Sequence, residues 1–185
     1  MKRSVAIILA CLATYGCGAR APGPTMHQVR AGTPDKSGWI TAESTYGRFS
    51  VKVPAPFNDF TVEDADAASP MKKAEAVGCT TAEGIKFSAA KCFYKSPFGA
   101  AAQWEKMKGG RGMGLATVVP SRVNGHEALD FGDGRLLADA PTNGRSRAVL
   151  VGGELYLLTV EWPVEREALA KPLVPTFLDS LALLQ

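Results

Sequence analysis

The chain has 185 residues, of which 46% are apolar and 21% charged, and its mean hydropathy is −0.01. These values exclude a wholly disordered chain, a collagen-like repeat and a protein with many membrane spans. Lys2 and Arg3 supply two of the three net positive charges, so the chain from residue 17 onward has 19 basic and 18 acidic residues, a net charge of +1. A near-neutral domain lacks the basic surface that nucleic-acid binding requires, so we expect no nucleic-acid partner.

Residues 1–16 have the three-part layout of a secretory signal peptide. Two basic residues precede an apolar run, Val5–Ala13, and small residues follow it. The run is shorter than the roughly 20 residues that span a bilayer. The alternative is a buried amino-terminal helix, which would carry a polar stripe at helical spacing, and none is visible. We therefore expect export to the periplasm or the cell exterior.

The residues that end at Cys17, Thr-Tyr-Gly-Cys, resemble a bacterial lipobox. Gly16 precedes the cysteine, where the lipoprotein signal peptidase favours a small residue, whereas Thr14 and Tyr15 depart from the usual pattern. Cys11 is a rival, but it leaves an apolar region of only about seven residues. The resemblance implies a diacylglyceryl thioether on Cys17 and an acyl chain such as palmitate on its amine, which together hold the protein on a membrane. The alternative is ordinary secretion, with Cys17 as a free or disulfide-bonded thiol.

Residues 17–37 form the predicted link between the anchor and a folded domain. Gly, Pro, Ala and Thr dominate the segment, and no apolar periodicity is present. Such a composition cannot bury enough apolar surface to offset the entropy lost on ordering. We expect a flexible lipid-anchored tether, in which His27 is solvated, followed by a single domain over residues 38–185.

The first half of that domain reads mainly as strands. Alternation of apolar and polar residues predicts a half-buried strand over 46–54, and the acidic segment 58–73 predicts an exposed loop. Two further strands are predicted over 73–81 and 85–94, joined through Ala82-Glu83-Gly84.

Ser96 and Pro97 are typical of the start of a helix. Its apolar face is predicted to consist of four residues: Phe98, Ala101, Trp104 and Met107. The glycine-rich segment 109–114 follows a helix and precedes a strand, which is the reverse of the order in a phosphate-binding loop. We interpret it as a connection.

The second half repeats strands and tight turns. Asn124-Gly125 and Gly152-Gly153 are two-residue hairpin turns. The strands beside these turns are predicted over 115–123, 126–131, 145–151 and 154–162. The last of them is apolar on both faces, so we expect it to be covered from both sides. Residues 166–184 predict a helical stretch interrupted by prolines, with Phe177, Leu178, Leu181 and Leu184 at helical spacing. This pattern predicts an α+β fold, an antiparallel sheet with helices packed on its faces.

The order of these elements, over residues 46–184, resembles the PsbP-like (Mog/PsbP) fold family and, more closely, bacterial lipoproteins of that fold. The resemblance is carried by Phe-Ser-Val-x-Val-Pro at 49–54, Gln103-Trp104, Val-Asn-Gly-His at 123–126, the strand pair with its turn at 148–156, and Phe-Leu-Asp-Ser-Leu at 177–181. It implies an α/β/α sandwich and a non-catalytic binding or assembly role. No motif matches the metal or chloride roles of photosystem subunits, so these are not implied.

Cys79 and Cys92 remain once the signal peptide is removed and the anchor is acylated. An even pair of thiols in an oxidising compartment predicts a disulfide. A hairpin turn at Glu83-Gly84, however, places Cys79 opposite Ser88, about 13 Å of strand from Cys92, whereas a disulfide needs Cα atoms within about 7 Å. The alternative is two separate buried thiols.

His126 is the one histidine within the predicted domain. A serine hydrolase of the common type would need a Gly-x-Ser-x-Gly turn, which the sequence lacks, and a metal site would need further ligands at suitable spacing. The acidic residues at 63–66 lack the glycine and terminal glutamate of a calcium-binding loop. We therefore expect no catalytic, cofactor-binding or metal-binding residues, and His126 at an exposed strand start.

These features predict a monomeric, non-enzymatic, membrane-anchored lipoprotein of the cell envelope that acts as a binding or assembly module for a protein partner. The alternatives are a small-ligand carrier and a hydrolase whose residues are dispersed along the chain. A pocket at His126 with a nearby serine or carboxylate would favour the hydrolase, and a deep apolar pocket the carrier. A flat patch of exposed aromatic residues would favour a protein partner.

Overall fold

The computed structural model describes residues 23–66, 68–109, 117–137 and 140–184, with side chains outside residues 133–141. The strands are β1 (Thr25–Arg30), β2 (Ile40–Ser44), β3 (Phe49–Val53), β4 (Phe57–Glu63), β5 (Met71–Thr80), β6 (Lys86–Tyr94), β7 (Val118–Val123), β8 (His126–Leu137), β9 (Ala140–Val151), β10 (Glu154–Pro163) and β11 (Ala182–Leu183). The helices are α1 (Gly99–Gly109), α2 (Glu167–Ala170) and α3 (Leu173–Leu178), with a 3₁₀ turn, Val164–Arg166, before α2. The predicted signal peptide and Cys17 lie outside the described residues.

The strands form two antiparallel sheets. The large sheet has eight strands in the order β1-β4-β5-β6-β10-β9-β8-β7, and the small sheet has three in the order β11-β3-β2. The two predicted hairpin turns are confirmed. Asn124 and Gly125 have φ values of 50° and 83°, and Gly152 and Gly153 have 56° and 84°. Positive φ at both central residues matches the twist of the flanking strands.

The large sheet separates two apolar cores. One face carries α1, whose Trp104 and Met107 pack with residues such as Phe60 and Leu157. The opposite face carries the small sheet and the carboxy-terminal helices, which bury residues such as Leu158 and Phe177. Leu157 and Leu158 are neighbours on β10, so the prediction that this strand is covered from both sides is confirmed. The α+β class is confirmed as well, with a small sheet as an additional covering element.

The apolar face predicted for α1 is partly wrong. Trp104 and Met107 are buried, but Phe98 is 77% exposed and Ala101 is also exposed. Phe98 precedes the first helical residue, and its backbone N–H donates to the Ser96 hydroxyl at 3.2 Å. Gln103 is buried beside Trp104 instead. In the last predicted stretch, Phe177, Leu178 and Leu181 are buried whereas Leu184 is exposed.

The acidic segment predicted as a loop, residues 58–73, contains all of β4 except Phe57. Phe60 and Val62 alternate along this strand and reach the core under α1, while Phe57 reaches the other core. Asp59, one of the residues that suggested a loop, is buried and accepts a hydrogen bond from the backbone N–H of Thr45 at 3.1 Å. A buried carboxylate of this kind is tolerated because it has a partner.

Part of the predicted tether is also folded. Residues 25–30 form β1, which pairs antiparallel with β4 at the edge of the large sheet. Composition did not reveal this strand because only Met26 and Val29 are apolar and both remain largely exposed. The pairing supplies backbone hydrogen bonds that do not depend on side-chain hydrophobicity. Within the described residues no helix is long and apolar enough to cross a membrane.

Candidate functional site

Cys79 and Cys92 are both buried and both free, so the predicted disulfide is wrong. Cys79 faces Phe87 across the β5–β6 pair, and Cys92 faces Ala74, five residues from Cys79 along β5. That separation is about 17 Å of strand. The two thiols also belong to the two different cores, on opposite faces of the sheet.

Burial makes these thiols unreactive. It raises the pKa of Cys79 and of Cys92 well above the ordinary value, to about 12. The thiolate is the nucleophilic and metal-binding form of cysteine, so neither residue is prepared for chemistry at neutral pH. They act as small apolar core residues.

His126 lines a small cavity between the β7–β8 turn and β11. The lining consists of Val123, Asn124, His126, Leu181 and Leu183, and the volume is about 140 Å³. Small-molecule sites usually enclose about 300–1,000 Å³. Asn124 uses its side-chain amide to donate to the backbone carbonyl of Leu181 at 2.7 Å, so its main role is to hold the two elements together. This lining contains neither a serine nor a carboxylate that would support the hydrolase.

Two aspartates of the acidic loop after β4 accept local backbone hydrogen bonds, although the second carboxylate oxygen of Asp64 is buried without a hydrogen-bond partner in the part of the chain that the structure describes. Asp64 accepts from the backbone N–H of Asp66 at 3.0 Å, and Asp66 from that of Ala68 at 2.8 Å. Among the described residues no group of three His, Cys, Asp or Glu residues could hold a metal ion. Residues 110–116, most of the glycine-rich segment, lie outside the described residues.

The structure instead brings together a row of polar side chains that cross the large sheet. Thr61 on β4 faces Glu75 on β5, Glu75 faces Lys91 on β6, and Lys91 faces Tyr156 on β10. We call these four residues the polar row. They lie on the face that carries the small sheet, and the Tyr156 ring contacts Phe49 of β3 edge-on, with ring centroids 5.8 Å apart.

Glu75 is the centre of a hydrogen-bond chain. It is buried, and its carboxylate accepts from Lys73 Nζ at 2.6 Å and from the Thr61 hydroxyl at 2.5 Å. Because the Thr61 proton points to Glu75, the bond of 2.6 Å between Thr61 Oγ1 and His27 Nε2 must be donated by His27. The prediction of a solvated His27 is therefore wrong: its side chain fastens β1 to the polar row.

The direction of this chain shows that His27 does not act as a base toward Thr61. An activating histidine accepts the proton of a hydroxyl, whereas His27 donates a proton to Thr61. The Glu75 charge is balanced by Lys73. These contacts hold β1 against the large sheet.

The other end of the polar row forms a second ion pair. Lys91 Nζ lies 2.6 Å from Glu154 Oε1, and the Tyr156 hydroxyl donates to Glu154 Oε2 at 3.1 Å. Burial, followed by the Glu154 charge, raises the pKa of Tyr156, which keeps its hydroxyl protonated. Lys73 and Lys91 also lie over the Phe93 ring, 5.1 Å and 5.4 Å from its centroid. Such contacts are cation–π interactions.

Tyr46 stands beside this row in the turn between β2 and β3. Its side chain is 59% exposed, yet its ring contacts that of His27 at 4.6 Å between centroids. The turn itself is fixed, because Ser44 accepts from the backbone N–H of Gly47 at 3.1 Å and Asp59 accepts from that of Thr45. Tyr46 is an exposed aromatic residue that is already held in place.

Sequence reasoning missed this site. Lys73 and Glu75, like Lys91 and Phe93, are two residues apart on strands that were predicted, so each pair shares a face. The sequence does contain a signal for this site, since charged residues occur two positions apart within otherwise apolar strands. Their pairing across strands depends on register, and His27 was assigned to the tether.

No family model matches the chain, and no match is found among curated proteins. Solved structures do match. The solution structure of cyanobacterial PsbP (CyanoP) from Synechocystis sp. PCC 6803 is 12% identical, covers 80% of this chain and 94% of its own, and has a TM-score of 0.51.

Two further structures score lower. PA94 from Pseudomonas aeruginosa is 10% identical over 74% of this chain and 91% of its own, with a TM-score of 0.39. LpqN, involved in cell envelope biogenesis of Mycobacterium tuberculosis, is 11% identical, covers 88% of this chain and 85% of its own, and also has a TM-score of 0.39. Of these three, the CyanoP structure has a TM-score above 0.5, and at 12% identity it shows the fold alone. The chain therefore has the PsbP-like fold.

Proposed function

We propose that the protein is a non-enzymatic lipoprotein of the cell envelope, held on a membrane through Cys17, whose PsbP-like domain binds or assembles with a protein partner. The observation that carries the proposal is the position of β1. This strand begins at Thr25, eight residues after Cys17, and His27 fastens it to the polar row. A lipid on Cys17 would thus be joined to the sheet itself by a very short link.

The surface around Tyr46 is the proposed contact for the partner. Tyrosine is enriched among the residues that dominate protein–protein binding energy. Tyr46 is exposed but held against His27, so ordering it on binding loses little conformational entropy. The half-buried Phe93, with Lys73 and Lys91 over its ring, offers further aromatic and charged groups on the same face.

Membrane attachment is tested by fractionation of cells that produce the full chain or its Cys17→Ser variant. We expect the full chain in the membrane and detergent fractions and the variant in the soluble fraction. A Cys17→Ser protein that stays firmly membrane-bound would contradict the lipid anchor.

Partner binding is tested by a photo-crosslinking amino acid placed at Tyr46 in the anchored protein. Thr41, exposed on β2 of the same small sheet, is the matched control position. We expect a discrete crosslinked species from position 46 that position 41 does not give and that Phe93→Ala weakens. Equal crosslinking from the two positions would contradict a specific contact at Tyr46.

A further inference from the structure

The edge strand β1 presents two apolar side chains on one face. Met26 is 47% exposed and Val29 is 76% exposed. Residues three apart in a regular strand point to opposite faces. Here the register shifts at His27, so that Met26 faces Phe60 and Val29 faces Asn58. Positions 58 and 60 share a face, and Met26 and Val29 therefore both lie on the side of the sheet that carries α1.

The same bulge sends polar groups the other way. His27 contacts Thr61 and Gln28 faces Asp59, both on the side of the polar row. One residue of register shift thus divides β1 into an apolar side and a polar side. Bulges that redirect side chains in this manner are common at sheet edges.

β1 is also an open edge, because in the described sheet its one neighbour is β4. The opposite edge, β7, contains Pro120, which cannot donate to a further strand. β1 has no proline between Thr25 and Arg30. Exposed apolar side chains and open backbone groups therefore coincide at β1.

The length of chain before β1 limits what can reach this edge. The eight residues from Cys17 to Thr25 can extend at most about 28 Å and would average about 16 Å as a random coil. The β7 edge lies seven strand spacings away, about 34 Å. A lipid on Cys17 therefore keeps β1 within reach of the bilayer surface, whereas the length of the link alone does not bring β7 there.

We propose that the β1 edge rests on the bilayer, with Met26 and Val29 inserted at the boundary between headgroups and acyl chains. The proposal builds on the lipid anchor proposed above. Apolar side chains gain free energy when they leave water at this boundary. Met26 and Val29 point to the α1 side, so Tyr46 next to the polar row on the opposite side stays exposed to a partner.

The experiment places a contact probe on each edge of the sheet. The mature chain, residues 17–185, is coupled through Cys17 to a maleimide lipid in phosphatidylcholine–phosphatidylglycerol vesicles. Cys79 and Cys92 are buried and do not compete for the reagent. Val29→Trp probes β1, and Val119→Trp, 52% exposed on β7, is the matched control. The three native tryptophans, Trp39, Trp104 and Trp162, are all buried and give the background.

We expect brominated acyl chains to quench the added fluorescence of Val29→Trp and to leave that of Val119→Trp unchanged. Equal quenching at the two edges, or none at Val29→Trp, would overturn the proposal. Dimerisation of the Cys17→Ser protein in solution that Val29→Glu abolishes would also overturn it, by assigning the edge to a second copy. Because the maleimide lipid supplies the anchor, these outcomes are independent of natural lipidation, which the cell fractionation tests.

Discussion

Glu75 is a buried carboxylate with partners from three side chains of different chemistry. Lys73 and Thr61 bond it directly, and His27 reaches it through Thr61. Removing one member of such a network leaves the others unsatisfied, which costs more than the net contribution of a single hydrogen bond. Because the Thr61 hydroxyl bonds both His27 and Glu75, its removal tests the stability of this network most directly.

Thr61→Val keeps the shape of the side chain and removes the hydroxyl. We expect the free energy of unfolding to fall by about 1–2 kcal/mol, because His27 and Glu75 each lose a partner. Thr61→Ser, which keeps the hydroxyl, should retain most of the stability. Thr41→Val, exposed on β2, should change the value by less than about 0.5 kcal/mol. Urea unfolding of the four proteins measures the differences, and equal losses at positions 61 and 41 would contradict the network.

The two core thiols lead to a second prediction at this scale. Their folded pKa of about 12 lies above the value of about 8.5 for an unfolded cysteine. The unfolded chain therefore releases these protons first, so stability is complete below about pH 8.5 and falls as pH rises toward about 12. At neutral pH both thiols stay protonated and covered.

We expect an oxidised preparation of the Cys17→Ser mature protein to show no thiol that reacts with Ellman's reagent while folded. The same protein in guanidinium, without reductant, should show two. A denatured sample without reactive thiols would demonstrate a disulfide and contradict the register of β5 and β6.

At the scale of elements, the pairing of β1 with β4 predicts that removal of β1 lowers the unfolding temperature. We expect a chain that begins at residue 31 to unfold at a lower temperature than one that begins at residue 23. The shorter chain loses the β1–β4 pairing and the His27 bond, worth together about 2 kcal/mol, or about 4–8 °C for a protein of this size. Calorimetry of the two chains measures the shift. Identical midpoints would mean that β1 adds no stability and that residues 25–30 serve only as a link.

Local signals predicted some elements well. Asn124-Gly125 and Gly152-Gly153 are turn sequences whose backbone conformation few other residues adopt, so their hairpins followed directly. The β5–β6 connection was harder. Its hydrogen bonds join Thr81 to Ile85, which makes Thr80 face Lys86 and moves Cys79 from Ser88 to Phe87. A shift of one residue changes which side chains of the two strands share a face. The predicted disulfide is therefore wrong, and the polar row, which depends on the same register, was not predicted.

Strands that depend on their neighbours were missed. β1 is mostly polar, and β2 is five residues long, so neither carries a periodic pattern that stands alone. β4 alternates Phe60 and Val62 with polar residues, but its acidic groups suggested a loop. In each case the strand is stabilised by pairing and by a specific partner such as Asp59 with Thr45. The amino-acid composition of a segment does not show such pairwise contacts, so it did not predict these strands.

At the scale of the molecule, one sheet serves two cores. The carboxy-terminal segment ties the small sheet to the large one, since Arg147 on β9 bonds both Asp130 on β8 and Asp179 after α3. Burial lowers the pKa of Arg147, but hydrogen bonds to the two carboxylates outweigh it and the net shift is upward. The guanidinium therefore stays charged in its place between the layers.

Shared strands should make the two cores unfold together. Trp104 reports the core under α1, and Trp39 and Trp162 report the core under the small sheet. Two variants separate these signals: one keeps Trp104 alone, and the other carries Trp104→Phe and keeps Trp39 and Trp162. In each variant we expect the urea midpoint measured by fluorescence to equal the midpoint measured by far-ultraviolet circular dichroism. The comparison is made within each protein, because the substitutions change stability themselves. Residues such as Leu157 and Leu158 adjoin on β10 but belong to different cores, so neither core can lose its packing without disturbing the strand that supports the other. Separate midpoints for Trp104 fluorescence and backbone signal would show that α1 and its core open first.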